Sequence, residues 1–219
     1  MASAVKLNVG CGKNVAQDWI NIDKSPSVLL SAFPWLRRLL LVTGVLTPEQ
    51  AQGFPSGVVH ANVVKRIPAE NESADFVYSS HMIEHLSRWE ALSFVRECRR
   101  VLRRGGVLRL VTPDLEVMVN DYLGGTSPFA LTATTPADAF CLEYRAYANS
   151  QVNLVRGLVR KLISGDSHQW LYDHVSISEL LREGGFNNIT RCSYQRGLTP
   201  DLSAVEHRER SLFVEARVV

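Results

Sequence analysis

The chain has 219 residues, enough for one α/β domain with a sizeable core, and 46% of them are hydrophobic against 21% charged. Its 24 lysines and arginines against 22 acids leave a formal net charge of +2, too balanced to mark a nucleic-acid binder. The four cysteines, at 11, 98, 141 and 192, form no CxxC pair; this argues against a structural zinc site and for reduced thiols in a cytoplasmic protein.

Residues 5–9 (Val-Lys-Leu-Asn-Val) are a strand-like run that breaks into Gly10-Cys11-Gly12, with no secretory signal ahead of it. Ile20–Asp23 is a second such run, ending on an acid. In a parallel sheet this places a close-approach backbone turn and a hydroxyl-binding carboxylate at one edge, as a nucleoside site requires. Residues 26–53 read as a helical insertion. Its most apolar part, 28–46, is interrupted by Pro34, Arg37 and Arg38 and makes a poor membrane span. The favoured reading is a helix packed on the domain; the alternative is one resting on a membrane or a lipid-linked substrate.

Residues 58–61 predict a short strand and 75–79 a stronger one. Ser87-Arg88-Trp89-Glu90 has capping-box spacing, and Ala91, Phe94, Val95, Cys98, Val101 and Leu102 then recur at helical intervals. Arg103 and Arg104 suit the negative end of the helix dipole, and Gly105-Gly106 predicts a left-handed stop before a buried strand at 107–112. Residues 115–165 read as a mainly helical excursion. A second capping box, Ser176 to Glu179, predicts a helix ending at Gly184-Gly185, followed by closing strands at 188–194 and 211–218 in an antiparallel hairpin.

Five stretches, taken in order, resemble the class I S-adenosylmethionine-dependent methyltransferases. They are Leu-Asn-Val-Gly-Cys-Gly at 7–12, Trp-Ile-Asn-Ile-Asp at 19–23, the segment 67–78, Ser-Ser-His-Met-Ile-Glu-His-Leu at 79–86, and the segment 100–110. More narrowly, they are similar to small methyltransferases associated with bacterial glycan biosynthesis. The resemblance implies S-adenosylmethionine as cofactor and S-adenosylhomocysteine as its product. It places Gly10, Cys11 and Gly12 at the methionyl portion, Asp23 on the ribose hydroxyls, Asn62 and Val63 beside adenine, and Ser80 and His81 on the wall near the methyl. Asn8 stands where the family often has an acid, and the short interval from Gly12 to Asp23 leaves room for about two turns of helix. A nicotinamide site fits worse, because Val15 stands where a third glycine belongs.

Methyl transfer to a hydroxyl benefits from a general base. Glu84 and His85 open the segment after the fourth strand, and His85 is the first choice because imidazole titrates near neutrality; the same residues would also suit a cap. Asp114, beyond the fifth strand, is a third catalytic candidate or a helix N-cap. Within residues 168–174, Trp170 and Tyr172 offer stacking faces to a sugar ring, with His168 and Asp173 as hydrogen-bonding groups. Their spacing matches no metal signature, so no metal is expected. The arginines at 96, 99, 100, 103 and 104 read as a solvated helix face, with RNA binding a minor alternative; Arg156, Arg160 and Lys161 read the same way, although an anionic lipid-linked or phosphorylated glycan would also suit them.

The expected architecture is a single doubly wound, mostly parallel α/β domain over residues 1–219. It is Rossmann-like, with helical insertions at about 25–56 and 115–165 and a C-terminal antiparallel hairpin. The expected reaction moves a methyl group to a saccharide hydroxyl, with another small molecule or lipid intermediate, or non-catalytic cofactor binding, as alternatives.

Overall fold

A computed structural model describes residues 3–46, 48, 52–144 and 168–219. Seven strands form one sheet in the order β3-β2-β1-β4-β5-β7-β6. These are β1 Lys6–Val9, β2 Ile20–Asp23, β3 Val59–His60, β4 Ala74–Ser80, β5 Leu102–Thr112, β6 Asn188–Cys192 and β7 Leu212–Arg217. The first five run parallel; β7 lies antiparallel to both β5 and β6, closing the sheet with the expected hairpin. Its helices are α1 Pro26–Ser31, α2 Pro34–Val42, α3 Arg88–Val101, α4 Leu115–Gly124, α5 Pro136–Tyr144, α6 His174–Glu183 and α7 Leu202–Val205. The end of the second insertion, including Arg156, Arg160 and Lys161, lies outside the described residues.

Alternation along the strands separates two faces. Leu7, Val9, Val77, Leu108, Leu110, Val214 and Ala216 bury one face against Phe94, Val95, Cys98 and Val101 of α3 and Ile177, Leu180 and Leu181 of α6. The other face carries a polar row in register: Asn21, Asn8, Tyr78, Arg109, Glu215 and Thr190. Among the described residues its cover is irregular, with Ala16 and Trp19 from the β1–β2 connection and Leu202 and Val205 of α7 packing there.

Four expectations are corrected. α3 stops at Val101, and residues 102–106 belong to β5, so Arg103 and Arg104 leave the helix face. Gly105, at φ +78, makes an irregularity in the strand rather than a helix stop. The capping box of α6 is Asp173 with Ser176, three residues earlier than read, because Asp173 has the extended backbone a cap needs and accepts from the Ser176 N–H at 2.7 Å. Finally, α2 buries none of its side chains: Trp35, Leu39 and Val42 are exposed. No helix among the described residues is long and apolar enough to cross a membrane.

Candidate active site

The carboxyl ends of β1, β2 and β4 meet at one edge. Gly10 N and Cys11 N donate to the Ile22 carbonyl at 2.8 and 3.2 Å, folding the turn after β1 across the end of β2. Asp23 completes this tie: one carboxylate oxygen accepts from Gly12 N at 2.8 Å and the other from Ser25 N at 2.7 Å. Each oxygen keeps a further lone pair for a ligand hydroxyl. Cys11 is buried, and burial first, then the Asp23 charge, push its thiol up to about 12. It stays neutral beside the crevice.

The two glycines have separate tasks. A Cβ on Gly10 would sit 2.8–2.9 Å from three atoms of Met82, whereas one on Gly12 meets nothing within 4 Å. Gly10 therefore admits the segment after β4, and Gly12 faces open space, where a ligand can approach the backbone. Both have positive φ, +68 and +54.

His81 follows β4 in the left-handed region at φ +50, an uncommon state for a residue with a side chain. Its amide donates to the Val111 carbonyl at 2.8 Å, which locks it to the end of β5. Nδ1 lies 3.1 Å from Glu84 Oε1 and Nε2 lies 3.0 Å from Ser211 Oγ. Arg208 Nη1 is also 3.3 Å from Nδ1. Arg208 can only donate, so its hydrogen bond takes the Nδ1 lone pair, while the Glu84 carboxylate, whose Oε1 has no hydrogen bond among the described residues, acts on the ring through its charge. Glu84 itself is fully buried, with Thr112 Oγ1 at 3.5 Å from its other oxygen.

Comparison with known proteins agrees with this geometry. Residues 7–110 match the model of a family described as "Methyltransferase domain". A 57-residue stretch is 44% identical to a probable S-adenosylmethionine-dependent methyltransferase of Mycobacterium tuberculosis, covering 26% of this chain and 20% of that one. A Mycolicibacterium smegmatis protein of similar name matches at 44% over 55 residues, 25% of this chain and 20% of its own. The matches thus span about a fifth of these relatives' length. In fold, the crystal structure of an S-adenosylmethionine-dependent methyltransferase from Archaeoglobus fulgidus aligns with a TM-score of 0.51 at 10% identity, over 98% of this chain and 86% of that one. Residues 7–110, a little under half of the chain, are thus similar to methyltransferase domains, and the mycobacterial relatives are named as S-adenosylmethionine-dependent.

Several side chains expected at the site are committed elsewhere. The Asn8 amide donates to Asn14 O and Asn21 Oδ1, both at 2.9 Å, and anchors the β1–β2 connection rather than reaching the crevice. Val63 is buried in the main core, while Asn62 beside it is exposed and accepts from Val64 N at 3.2 Å. Ser80 is half-buried at the end of β4. Asp114 caps α4 through Glu116 N at 3.1 Å and pairs with Arg191 Nη2 at 2.7 Å, so its carboxylate holds structure together. Tyr172 is fully buried and offers no stacking face, and Asp173 is the cap of α6, its carboxyl held low by the Ser176 N–H. Trp170 remains 46% exposed. His85 packs edge-on against His168, ring centroids 4.9 Å apart.

Sequence reasoning missed Met82, Arg208, Ser211 and Gln169. Ser211 precedes β7, and the register pairing Leu212 with Thr112 brings it to the end of β5, beside His81. That proximity is a product of antiparallel pairing and leaves no local signal. Gly10→Ala is expected to destabilise the apoprotein by roughly 2 kcal/mol, from positive φ and the Met82 clash together. Gly12→Ala should cost roughly 1 kcal/mol from φ alone, yet weaken S-adenosylhomocysteine binding more. Thermal melts with and without that ligand separate the two.

Proposed function

We propose that this chain transfers the methyl group of S-adenosylmethionine to a hydroxyl oxygen, on a saccharide or glycan precursor. The observation that carries the donor half is the open backbone at Gly12 facing the Asp23 carboxylate across the ends of β1 and β2. When bound, the cofactor supplies an electrophilic methyl group on a sulfonium. Asp23 accepts from the ribose diol, and Gly12 allows the backbone to approach the methionyl portion.

The acceptor half is supported by His81. A hydroxyl must lose its proton as the new bond forms, whereas an amine in its neutral form attacks without help. The ring of His81 lies beside the buried Glu84 carboxylate, whose charge would stabilise the imidazolium formed on proton uptake, and its Nε2 faces the Ser211 hydroxyl. We therefore assign the base to His81, and not to His85, whose ring is set against His168. The saccharide class is favoured by exposed Trp170, an apolar face next to the hydrogen-bonding Gln169. A lipid-linked acceptor is a second reading, favoured by exposed Trp35, Leu39 and Val42 on α2 beside Arg37 and Arg38.

Two experiments test the proposal. By calorimetry, Asp23→Asn is expected to weaken S-adenosylmethionine and S-adenosylhomocysteine by roughly 10- to 100-fold, the scale of one or two hydrogen bonds to a charged acceptor. Absence of binding to the unaltered chain defeats the donor half. Incubation with labelled donor and fractionated cell-envelope precursors, followed by mass analysis, should place the label on a carbohydrate oxygen. Label on nitrogen or sulfur overturns the acceptor half, and binding without transfer to any fraction favours a non-catalytic role.

A further inference from the structure

We infer that Glu84, His85 and His168 form a binding site for one divalent transition-metal ion, zinc foremost. The single helical turn Ile83–His85 sits just beyond His81. Segment 168–170 is held onto it by three hydrogen bonds. Gln169 N and Trp170 N donate to the Glu84 carbonyl at 2.7 and 3.2 Å, and Gln169 Nε2 donates to the His85 carbonyl at 2.8 Å. Those bonds fix where the His168 ring lies, and it meets His85 edge-on at 64° between ring planes. As a result, one ligand atom from each of the three residues lies within 4.8 Å of the others.

The chemistry of the set narrows the ion. Two imidazoles and one carboxylate suit zinc, manganese, iron or cobalt, while magnesium and calcium prefer oxygen ligands throughout. Zinc bonds of about 2.1 Å in tetrahedral geometry would draw the donor atoms to roughly 3.4 Å of one another. The backbone of both segments is already pinned, so this contraction is asked of the three side chains. Glu84 is the member that most needs a cation. Its carboxylate is fully buried; among the described residues one oxygen has no hydrogen bond, with the His81 imidazole 3.1 Å away, and the other accepts from Thr112 Oγ1 at 3.5 Å. A buried carboxylate without a strong counter-charge is costly, and a bound ion offsets that cost. Sequence spacing could not reveal the site, because His85 and His168 stand 83 positions apart.

Three protein ligands leave coordination positions open, and the turn adjoins the proposed proton acceptor. An ion there would polarise an acceptor hydroxyl before His81 removes its proton. That use rests on the methyl-transfer reading, whereas the site itself does not.

The test is metal uptake by the untagged, chelator-stripped chain in equilibrium dialysis against Zn²⁺, Mn²⁺ and Mg²⁺. One equivalent of Zn²⁺ or Mn²⁺ and no stoichiometric Mg²⁺ is expected. His85→Gln and His168→Gln should each weaken uptake at least about 100-fold while S-adenosylhomocysteine binding stays within about twofold, which shows the fold intact. Co²⁺ should give the intense visible absorption of low-coordinate imidazole ligation in the unaltered chain and lose it in both variants. Sub-stoichiometric uptake, or uptake unchanged in the His85→Gln/His168→Gln double variant, overturns the proposal. Failure of methyl transfer would leave the dialysis result unaltered, so the two readings fail separately.

Discussion

His81→Gln is expected to lower single-turnover methyl transfer by roughly 10²- to 10⁴-fold while leaving S-adenosylmethionine affinity within a few-fold. Glutamine keeps polar atoms near Glu84 and Ser211 but has no basic nitrogen, so the loss isolates proton removal. Ring orientation comes from the left-handed backbone at His81, the amide bond to Val111, and the hydrogen bonds of Nδ1 with Arg208 and of Nε2 with Ser211. Glu84→Gln should lower turnover as well, since a neutral amide no longer stabilises the imidazolium formed when the ring takes the proton. The measurement is rapid-quench transfer from labelled donor to a hydroxyl acceptor found in the envelope fractions. Full turnover in His81→Gln would move the proton acceptor elsewhere, with His85 the next to be tested.

How far this site could be read from the chain depended on how local each determinant is. Gly10, Gly12 and Asp23 lie within 14 residues, and one strand–turn–strand unit carries them to a common edge. The Ser87–Glu90 box was legible for the same reason: both of its hydrogen bonds close within four residues. Gly105-Gly106 misled because helix-stop chemistry competes with pairing. Ser73 N bonds to the Val101 carbonyl, Leu102 pairs with Ala74, and Gly105 N reaches the Val218 carbonyl, so partners distant in sequence draw these residues into the sheet. The left-handed glycine then serves a strand irregularity instead.

Long-range charge was hidden in the same way. Arg191 reaches Asp114 and Arg208 reaches His81, each from the C-terminal hairpin and its connection. The apolar stripe of α2 shows the opposite error. The apolar content of 28–46 favoured packing on the domain, yet α2 contacts α1 and buries none of its side chains, leaving Trp35, Leu39 and Val42 exposed. A side chain's type therefore foretold its environment only where the chain itself brought the environment along.

Arg109→Met is expected to destabilise the fold by about 3–5 kcal/mol, a fall in Tm of roughly 10 °C or more for a chain of this size. Arg109 is wholly buried on the polar face of β5. Its Nε donates to Glu206, while its terminal nitrogens donate to Arg196 O at 3.0 Å, Glu215 Oε1 at 3.2 Å and Ser193 O at 3.1 Å. Burial alone would weaken the charge, but Glu206 and Glu215 outweigh it and push the guanidinium further up. These two glutamates in turn accept from Gln195, Leu198 and Thr199 amides. One guanidinium thus fastens residues 193–206 to a sheet face that, among the described residues, receives only α7 and loops. Methionine fills the volume and strands two buried carboxylates, and that uncompensated charge is the main cost. The combined variant Arg109→Met/Glu206→Gln/Glu215→Gln should recover about half of the loss, because no charge is left to neutralise and each amide oxygen still accepts from one backbone N–H, although one of the two donors on Glu215 loses its acceptor. Urea unfolding of the single and triple variants decides it. A single variant within about 1 kcal/mol of the parent would mean that apolar packing by Leu202, Val205 and Trp19 alone holds this face.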